Sequence, residues 1–275
     1  MIVQAIRRYP VKSMLGEVLP HAQVGPAGVE GDRRLALRDL TTDRVVSAKH
    51  PRRWRAMLTL RATGGGPDPL RISLPDGRAL TTGDDVDAVL STLLGTPVAL
   101  IATVPPGATL DRARPDEVLA AGVTAPVTVD ETPLGGGSTA ETFVDFAPVH
   151  LVTTATLDRI AEAAGTGQPV DATRYRPNLV LRTTGVPGFV ENGWVGRDLR
   201  VGAELVLRVV ALTPRCAVPT LAHGDLPAEP DALRVPARLN RVAPVPQLGP
   251  LPCVGAYAQV VRPGRVDAGD RVRLD

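Results

Sequence analysis

The chain has 275 residues, of which 44% are hydrophobic and 22% are charged, as in an ordinary globular protein with one large or two smaller domains. The 31 basic and 29 acidic residues leave a formal charge of only +2, which argues against a nucleic-acid-binding surface because phosphate tracking needs concentrated positive charge. No apolar run approaches the ~20 residues that span a bilayer, and the first residues lack the pattern of an export signal. We therefore expect a cytoplasmic protein that binds neither membranes nor nucleic acids.

The first half of the chain is predicted to consist mainly of strands. Short apolar segments lie between Gly and Pro residues, and they predict strands at residues 2–6, 35–38, 56–61, 70–74 and 98–102. Pro75 and Gly77 are typical of a hairpin turn after the fourth of these strands. One amphipathic helix is predicted here, with a cap at Asp84 or Asp85 and an end at Gly95.

A charged, proline-containing segment at 105–123 is predicted to cross into the second half, where the strand pattern resumes. Strands are predicted at residues 127–129, 142–146, 178–182, 199–201, 205–212, 254–261 and 272–274. A second helix is predicted at 154–164, and a short helix near 231–234 within a proline-rich loop at 214–252. The glycine run at 135–138 is predicted to be a loop. Many strands and few helices indicate a β-rich α+β protein with barrel-like sheets.

The two cysteines, Cys216 and Cys253, limit the metal and redox chemistry that the chain can perform. They are too few for an iron–sulfur cluster and too far apart in sequence for a structural zinc site, and no disulfide is expected in the cytoplasm. Arg215 next to Cys216 favours the thiolate, the form that binds metals, although a structural thiol is the commoner role of such a residue. Cys253 has no charged neighbour and is interpreted as structural.

The lysines are scarce, and one of them is a candidate phosphate ligand. Lys12 and Lys49 are the only lysines among 31 basic residues, so each can mark a position where a compact ammonium is needed. Lys12 and Ser13 directly follow the first strand, where ammonium and hydroxyl together could hold a phosphate. A solvated loop lysine is the alternative, and Lys49 is the weaker candidate. The four histidines show no ligand spacing, and we assign them no catalytic role.

Paired arginines before two predicted strands are candidate anion ligands. Arg174 and Arg176 would point the same way on an extended segment, and Asn178 could meet the edge of a heterocycle. Arg33 and Arg34, which follow the turn at Gly31, are likewise candidate anion ligands. In each case a solvated strand end is the alternative.

The start of the second predicted helix is a further candidate. Thr153 and Thr154 stand where a hydroxyl caps the first turn of the helix. The free backbone N–H groups at the same place could hold a phosphate instead. Sequence leaves both interpretations open.

Several blocks of sequence, taken together and in order, resemble the MOSC proteins, relatives of the C-terminal region of molybdenum cofactor sulfurases. The blocks are YPVKS, GDRRLAL, VDFAPVHLVTTATL, RYRPNLVL, WVGRDLRVG, PRC and GAYAQVVRPGRVDAGDRVRL, and they cover nearly the whole chain. The first two resemble the N-terminal β-barrel domain that accompanies the MOSC domain. The resemblance implies a β-barrel-like domain at 1–115, packed on a MOSC β-barrel domain with a few short helices at 116–275.

The resemblance also implies a binding site for the molybdenum cofactor, a pterin that carries a phosphate. Cys216 matches the cysteine that binds molybdenum, so it is the predicted metal ligand and catalytic residue. Lys12 and Ser13 match the residues that hold the phosphate, and one of Arg33 and Arg34 matches an arginine on the cofactor. The other predicted cofactor-binding residues are Thr153, Thr154, Arg176 and Asn178, to which we add Arg215 as the neighbour of Cys216.

The functional relatives named by the resemblance are the mitochondrial amidoxime-reducing component and bacterial reductases of N-hydroxylated bases. They imply an oxidoreductase that reduces the N–O bond of a small molecule with electrons from a separate donor protein. A persulfide carrier that uses Cys216 remains an alternative, and its pyridoxal-phosphate-dependent sulfur donor would be a separate partner. A non-catalytic cofactor carrier is the third possibility. Pro214 stands where relatives often have Ser, and the following loop is shorter, so the substrate does not transfer.

Overall fold

The computed structural model describes residues 1–66, 68–81, 83–135, 142–165 and 167–275. These residues form a β-rich α+β fold, as predicted. The five helices are α1 Pro51–Trp54, α2 Val86–Leu94, α3 Pro115–Ala121, α4 Thr154–Ala164 and α5 Asp231–Leu239. The strands of the first half are β1 Ile2–Arg8, β2 Glu17–Leu19, β3 His21–Gly25, β4 Gly28–Val29, β5 Ala36–Asp39, β6 Arg61–Thr63, β7 Arg71–Ser73, β8 Ala79–Leu80, β9 Val98–Ile101, β10 Thr109–Ala113 and β11 Val129–Pro133. Those of the second half are β12 Val149–Thr153, β13 Leu179–Arg182, β14 Asp198–Val201, β15 Leu205–Pro214, β16 Arg241–Val242, β17 Leu251–Arg262, β18 Gly264–Asp267 and β19 Val272–Leu274.

The largest sheet joins the two halves of the chain. Its order is β19-β14-β15-β17-β12-β13-β1-β2, with β16 paired to β17, and only β12 and β13 run parallel. Strand β3 of the first half likewise pairs with β18 of the second. Strands β19 and β2 stand at the two ends of this order, and Ile2 of β1 forms an isolated antiparallel bridge with Arg271, directly before β19. The division at 115/116 stays a prediction.

The apolar core reflects this connection. The largest cluster packs Val3 and Ile6 of β1 against side chains of the second half such as Leu151 and Leu207. A second cluster, around Met57 and Leu37, belongs entirely to the first half. The large sheet and its core therefore form one framework from distant parts of the sequence. This framework includes the ends of β1 and β15 and the starts of β12 and β13.

The two predicted amphipathic helices are confirmed, together with their caps. The Asp85 side chain accepts a hydrogen bond from Ala88 N at 3.1 Å, and Gly95 ends α2 in the left-handed region. Thr153 caps α4, and Gly165 ends it in the same way. No helix in the described ranges is long and apolar enough to cross a membrane.

Three predicted segments differ from the structure. Residues 56–61 form most of a buried 3₁₀ helix, Arg55–Thr59, because a short apolar run does not distinguish a strand from a buried helix. Residues 142–146 form no strand, since Phe143 N donates to Arg33 O and Phe143 O accepts from Lys12 Nζ. The crossing segment at 105–123 contains β10 and α3. The glycine run at 135–138 lies outside the described residues except for Gly135.

Candidate functional site

A cavity of about 80 Å³ lies where the two halves of the chain meet, and we refer to it as the cation cavity. Cys216 lines it, together with Ser13 and one carboxylate, Asp145. Six cationic side chains also line it: Lys12, Arg33, Lys49, Arg174, Arg176 and Arg215. The cavity therefore brings together residues from six separate segments of the described sequence.

Backbone strain is concentrated at this cavity. Five non-glycine residues of the described chain have positive φ, and three of them, Ser13 (66°), Arg33 (48°) and Arg176 (55°), line the cation cavity. Non-glycine residues seldom adopt this region, which costs of the order of 1–3 kcal/mol each and is found mainly at functional sites. This cluster indicates that the positions of these three side chains at the cavity are maintained at a cost in the stability of the fold.

Lys12 is held inside the protein. Its backbone N–H donates to Leu35 O at 2.8 Å, and its Nζ donates to Phe143 O at 2.9 Å and to Asp145 Oδ1 at 2.5 Å. Burial lowers the pKa of the Lys12 ammonium to about 8, although the Asp145 carboxylate partly opposes the shift. Ser13 Oγ accepts a hydrogen bond from Ala48 N at 3.0 Å. Lys12 and Ser13 therefore lie side by side in the cavity wall, and their binding of a phosphate stays a prediction.

Of the two candidate arginines after Gly31, only Arg33 lines the cavity. Its guanidinium pairs with the buried Asp32 and donates to Arg176 O at 3.1 Å. Arg34 is exposed and does not line the cavity. Arg33 is therefore the residue of this pair that could bind a ligand here.

Arg176 has a buried donor without a partner. Its guanidinium lies 4.4 Å from the centroid of the Tyr9 ring, and its Nη1 donates to Met14 O at 2.5 Å. Its Nη2 is buried and has no hydrogen-bond partner in the part of the chain that the structure describes. Burial, reinforced by the nearby charge of Arg33, lowers the pKa of Arg176 to about 10. A buried, unpaired donor of a charged group is costly, so this nitrogen is available to an anion in the cavity.

Arg215 lines the cavity, but its guanidinium is bound mainly to other groups of the protein. Its Nε donates to Val254 O at 3.0 Å and its Nη1 to Tyr175 O at 3.1 Å. Its Nη2 lies 2.5 Å from His150 Nε2. Burial, with the charge of Arg215, holds the pKa of His150 well below its usual range. His150 is therefore neutral and accepts the hydrogen bond, and Arg215 is fixed in place behind Cys216.

The two cysteines differ in their surroundings, as predicted. Cys216 is partly exposed and opens onto the cation cavity beside Leu58 and Val218. Cys253 is buried, and burial raises the pKa of its thiol to about 11. Cys216 is the thiol of the two that a metal or an electrophile can reach through this cavity.

Three predicted cofactor ligands do not line the cation cavity. Thr153 N donates to Glu191 Oε1 at 2.7 Å, and Thr154 Oγ1 lies 3.3 Å from Thr183 O, so both threonines serve the start of α4. Asn178 is fully buried, and its Oδ1 accepts from His150 N at 3.1 Å. These polar groups are satisfied within the protein, and their role as cofactor ligands stays a prediction.

Sequence reasoning gave too little weight to several cavity residues. Lys49 was ranked below Lys12, and His150 and Asp145 were given no role, although all three line the cavity. The scarcity of lysine was the one available signal for Lys49. Nothing local marks Asp145, since its partners are more than 90 residues away in the sequence.

Two family models match the chain. The MOSC domain matches residues 138–273, and the MOSC N-terminal beta barrel domain matches residues 1–97. The chain belongs to the MOSC family. MOSC domains are in general associated with the molybdenum cofactor, and the cation cavity of this MOSC protein is lined by residues from both matched regions.

Among solved structures, two remote likenesses accompany the family match. YiiM from Geobacillus stearothermophilus is 16% identical, with a TM-score of 0.34, over 55% of this chain and 67% of that one. The YUAD protein from Bacillus subtilis is 10% identical, with a TM-score of 0.45, over 99% of this chain and 94% of that one. No curated protein sequence matches the chain significantly.

Proposed function

We propose that the cation cavity binds the molybdenum cofactor, with Cys216 as the metal ligand, and that the loaded protein reduces the N–O bond of N-hydroxylated small molecules. One observation carries the proposal: the partly exposed Cys216 thiol opens onto the same cavity as a cluster of six cations. A soft thiolate suits a metal ion, and paired guanidiniums suit a phosphate. When bound, the cofactor would supply two-electron redox chemistry that protein side chains do not provide.

The residues present fit the anionic end of such a group. Lys12, Arg33 and Arg176 offer charged donors, and the unpartnered Arg176 Nη2 is the clearest vacancy for an acceptor oxygen. Each charge-assisted hydrogen bond contributes on the order of 1.5–3 kcal/mol. The cavity volume of about 80 Å³ is below the roughly 300–1,000 Å³ of ligand pockets, so binding the whole cofactor requires its wall to open.

The remaining lining residues would position and shield the site. Arg215 is held by three backbone and side-chain partners, and this fixes the backbone beside Cys216. Leu58 and Val218 form an apolar wall beside the partly exposed Cys216. We propose that electrons come from a separate donor protein and that the substrate is a small molecule.

The test is molybdenum content together with reductase activity. We express wild type, Cys216→Ser and Cys253→Ser in a cofactor-producing host, and we measure molybdenum by elemental analysis and benzamidoxime reduction with an artificial electron donor. We expect metal and activity in wild type and in Cys253→Ser. Cys216→Ser should lose activity and most of its molybdenum, because a hydroxyl does not replace a soft thiolate. Wild-type protein without molybdenum would contradict the proposal.

The same proteins separate the two alternatives. A sulfur adduct on Cys216 after incubation with a cysteine desulfurase, detected by mass spectrometry, would favour a persulfide carrier. Tight cofactor retention without turnover would favour a carrier protein. Either result leaves the cation cavity as a binding site and changes only its chemistry.

A further inference from the structure

One carboxylate oxygen occupies the lysine side of the cation cavity. Asp145 Oδ1 lies 2.5 Å from Lys12 Nζ and 2.9 Å from Lys49 Nζ. Burial alone would raise the pKa of Asp145, but the two lysine charges hold it well below its usual range. The carboxylate is therefore ionised and neutralises the two ammonium groups from within the chain.

The attachment of Asp145 differs from that of Asp32, the carboxylate that pairs with Arg33 of the cavity. The Asp32 side chain is only 1% exposed, pairs with Arg33 and accepts from Tyr9 N at 2.7 Å, so the backbone fixes it. The Asp145 side chain is 34% exposed, and both of its ion-pair partners are lysine side chains. It also lies in the segment 142–148, which forms neither helix nor strand. Rotation of one side chain can therefore remove Asp145 from the lysines, whereas Asp32 is part of the scaffold.

Among the described residues, Asp145 is the carboxylate partner of both Lys12 and Lys49, and no other carboxylate pairs with either lysine. Lys12 Nζ retains the Phe143 carbonyl, and its side chain is only 5% exposed, so water reaches it poorly. A buried ammonium that loses its counter-ion requires another anion. An incoming phosphate oxygen would provide it, in the place that the carboxylate had occupied.

We propose that Asp145 is an internal counter-ion that occupies the phosphate subsite and is displaced when an anionic ligand binds. This inference rests on the proposed function only in its choice of phosphate as the ligand group. Asp145 then lowers the affinity of the cavity for phosphate, since every binding event must first break two close ion pairs. The carboxylate keeps the empty site stable and makes binding reversible.

The test uses metal-free protein and inorganic phosphate as the probe, with binding measured by calorimetry at constant ionic strength. We compare wild type, Asp145→Asn and Asp145→Ser, and confirm folding of each by circular dichroism. Loss of the competing charge should tighten phosphate binding by about tenfold or more, as expected for a close charge pair. Asp145→Ser keeps the test valid if the amide variant fails to fold.

Asp130→Asn is the matched control. It makes the same change in net charge on an exposed carboxylate that pairs with Arg114 and does not line the cavity. We expect it to bind phosphate as wild type does. If both Asp145 variants bind phosphate no more tightly than wild type, Asp145 positions the lysines and the inference is overturned. If no protein in the set binds phosphate, the cavity has no phosphate subsite. If Asp145→Asn binds phosphate more tightly but the protein holds no molybdenum, the result counts against the proposed function alone.

Discussion

The cation cavity and the start of α4 are two polar regions that sequence suggested for the same ligand, and they differ in how their charges are satisfied. At the start of α4 the buried Glu191 accepts from Thr153 N at 2.7 Å and from Thr156 Oγ1 at 2.5 Å. At the cavity six cations face one carboxylate among the lining residues, and Arg176 Nη2 has no partner.

The comparison separates a scaffold from a binding site. A scaffold satisfies its own buried polar groups, because each unsatisfied group costs stability. A binding site leaves some of its hydrogen-bonding groups and charges available to a ligand. Strain does not separate the two regions: Ser13, Arg33 and Arg176 line the cavity, but Phe189, with a φ of 59°, donates to Thr156 Oγ1 at the start of α4.

The largest expected effect is on stability and comes from the scaffold region. Glu191→Ala leaves the Thr153 N–H and the Thr156 hydroxyl without an acceptor in a buried place, so the free energy of unfolding should fall by about 2–4 kcal/mol. Urea denaturation measures this change. Glu162→Ala, on the exposed side of the same helix, should change stability by less than about 0.5 kcal/mol. If Glu191→Ala keeps its stability but binds phosphate poorly, the start of α4 belongs to the site after all.

For Arg176→Met we expect a large loss of phosphate affinity and little change in stability, the reverse of what we expect for Glu191→Ala. The methionine preserves the apolar contact with Tyr9 but removes the charge and the unpartnered nitrogen, so phosphate affinity should fall by about tenfold to a hundredfold. Stability should change little, because removing a buried charge with an unsatisfied nitrogen offsets the loss of the hydrogen bond to Met14 O. Calorimetry and urea denaturation measure the two quantities. Arg34→Met is the control, since this arginine is exposed outside the cavity; equal losses in the two variants would refute the assignment.

The smallest expected effect is the pH dependence of anion binding. The pKa of Lys12 is lowered to about 8, so its ammonium is charged below that pH and loses its proton above it. Sulfate, whose charge does not change in this range, should therefore bind up to about tenfold more weakly at pH 9 than at pH 7. Lys12→Arg stays charged and should flatten the profile. A wild-type affinity that is constant between these pH values would mean that Lys12 does not contact the anion.

Local patterns predicted much of the fold. The helices α2 and α4 were predicted with their caps and glycine ends, and most of the longer strands of the second half were predicted near their observed places. Errors arose where the backbone bonds to distant groups. Phe143 uses its N–H and carbonyl for Arg33 and Lys12, and no periodicity in residues 142–146 records this.

The candidate site was predicted in part, and for a different reason. Lys12, Ser13, Arg176, Arg215 and Cys216 were identified from residue type and family resemblance, and all five line the cavity. The choice between Arg33 and Arg34 was left open, and Thr153, Thr154 and Asn178 were predicted as ligands although the protein satisfies them internally. Burial and hydrogen-bond partners decide such cases, and neither is visible in a linear pattern.

Sequence by itself determined the amphipathic helices with their ends, the position of Cys216 after a strand beside Arg215, and the family. The helices and the position of Cys216 depend on residues within a few positions of one another, where caps, turns and side-chain periodicity act, whereas the family depends on the order of sequence blocks along nearly the whole chain. Only the tertiary structure decided that Asp145 meets Lys12 and Lys49, and that Arg33 faces inward while Arg34 faces solvent. Pairing of strands from the two halves brings these charges together, and the energy of a charge depends on its neighbours in space.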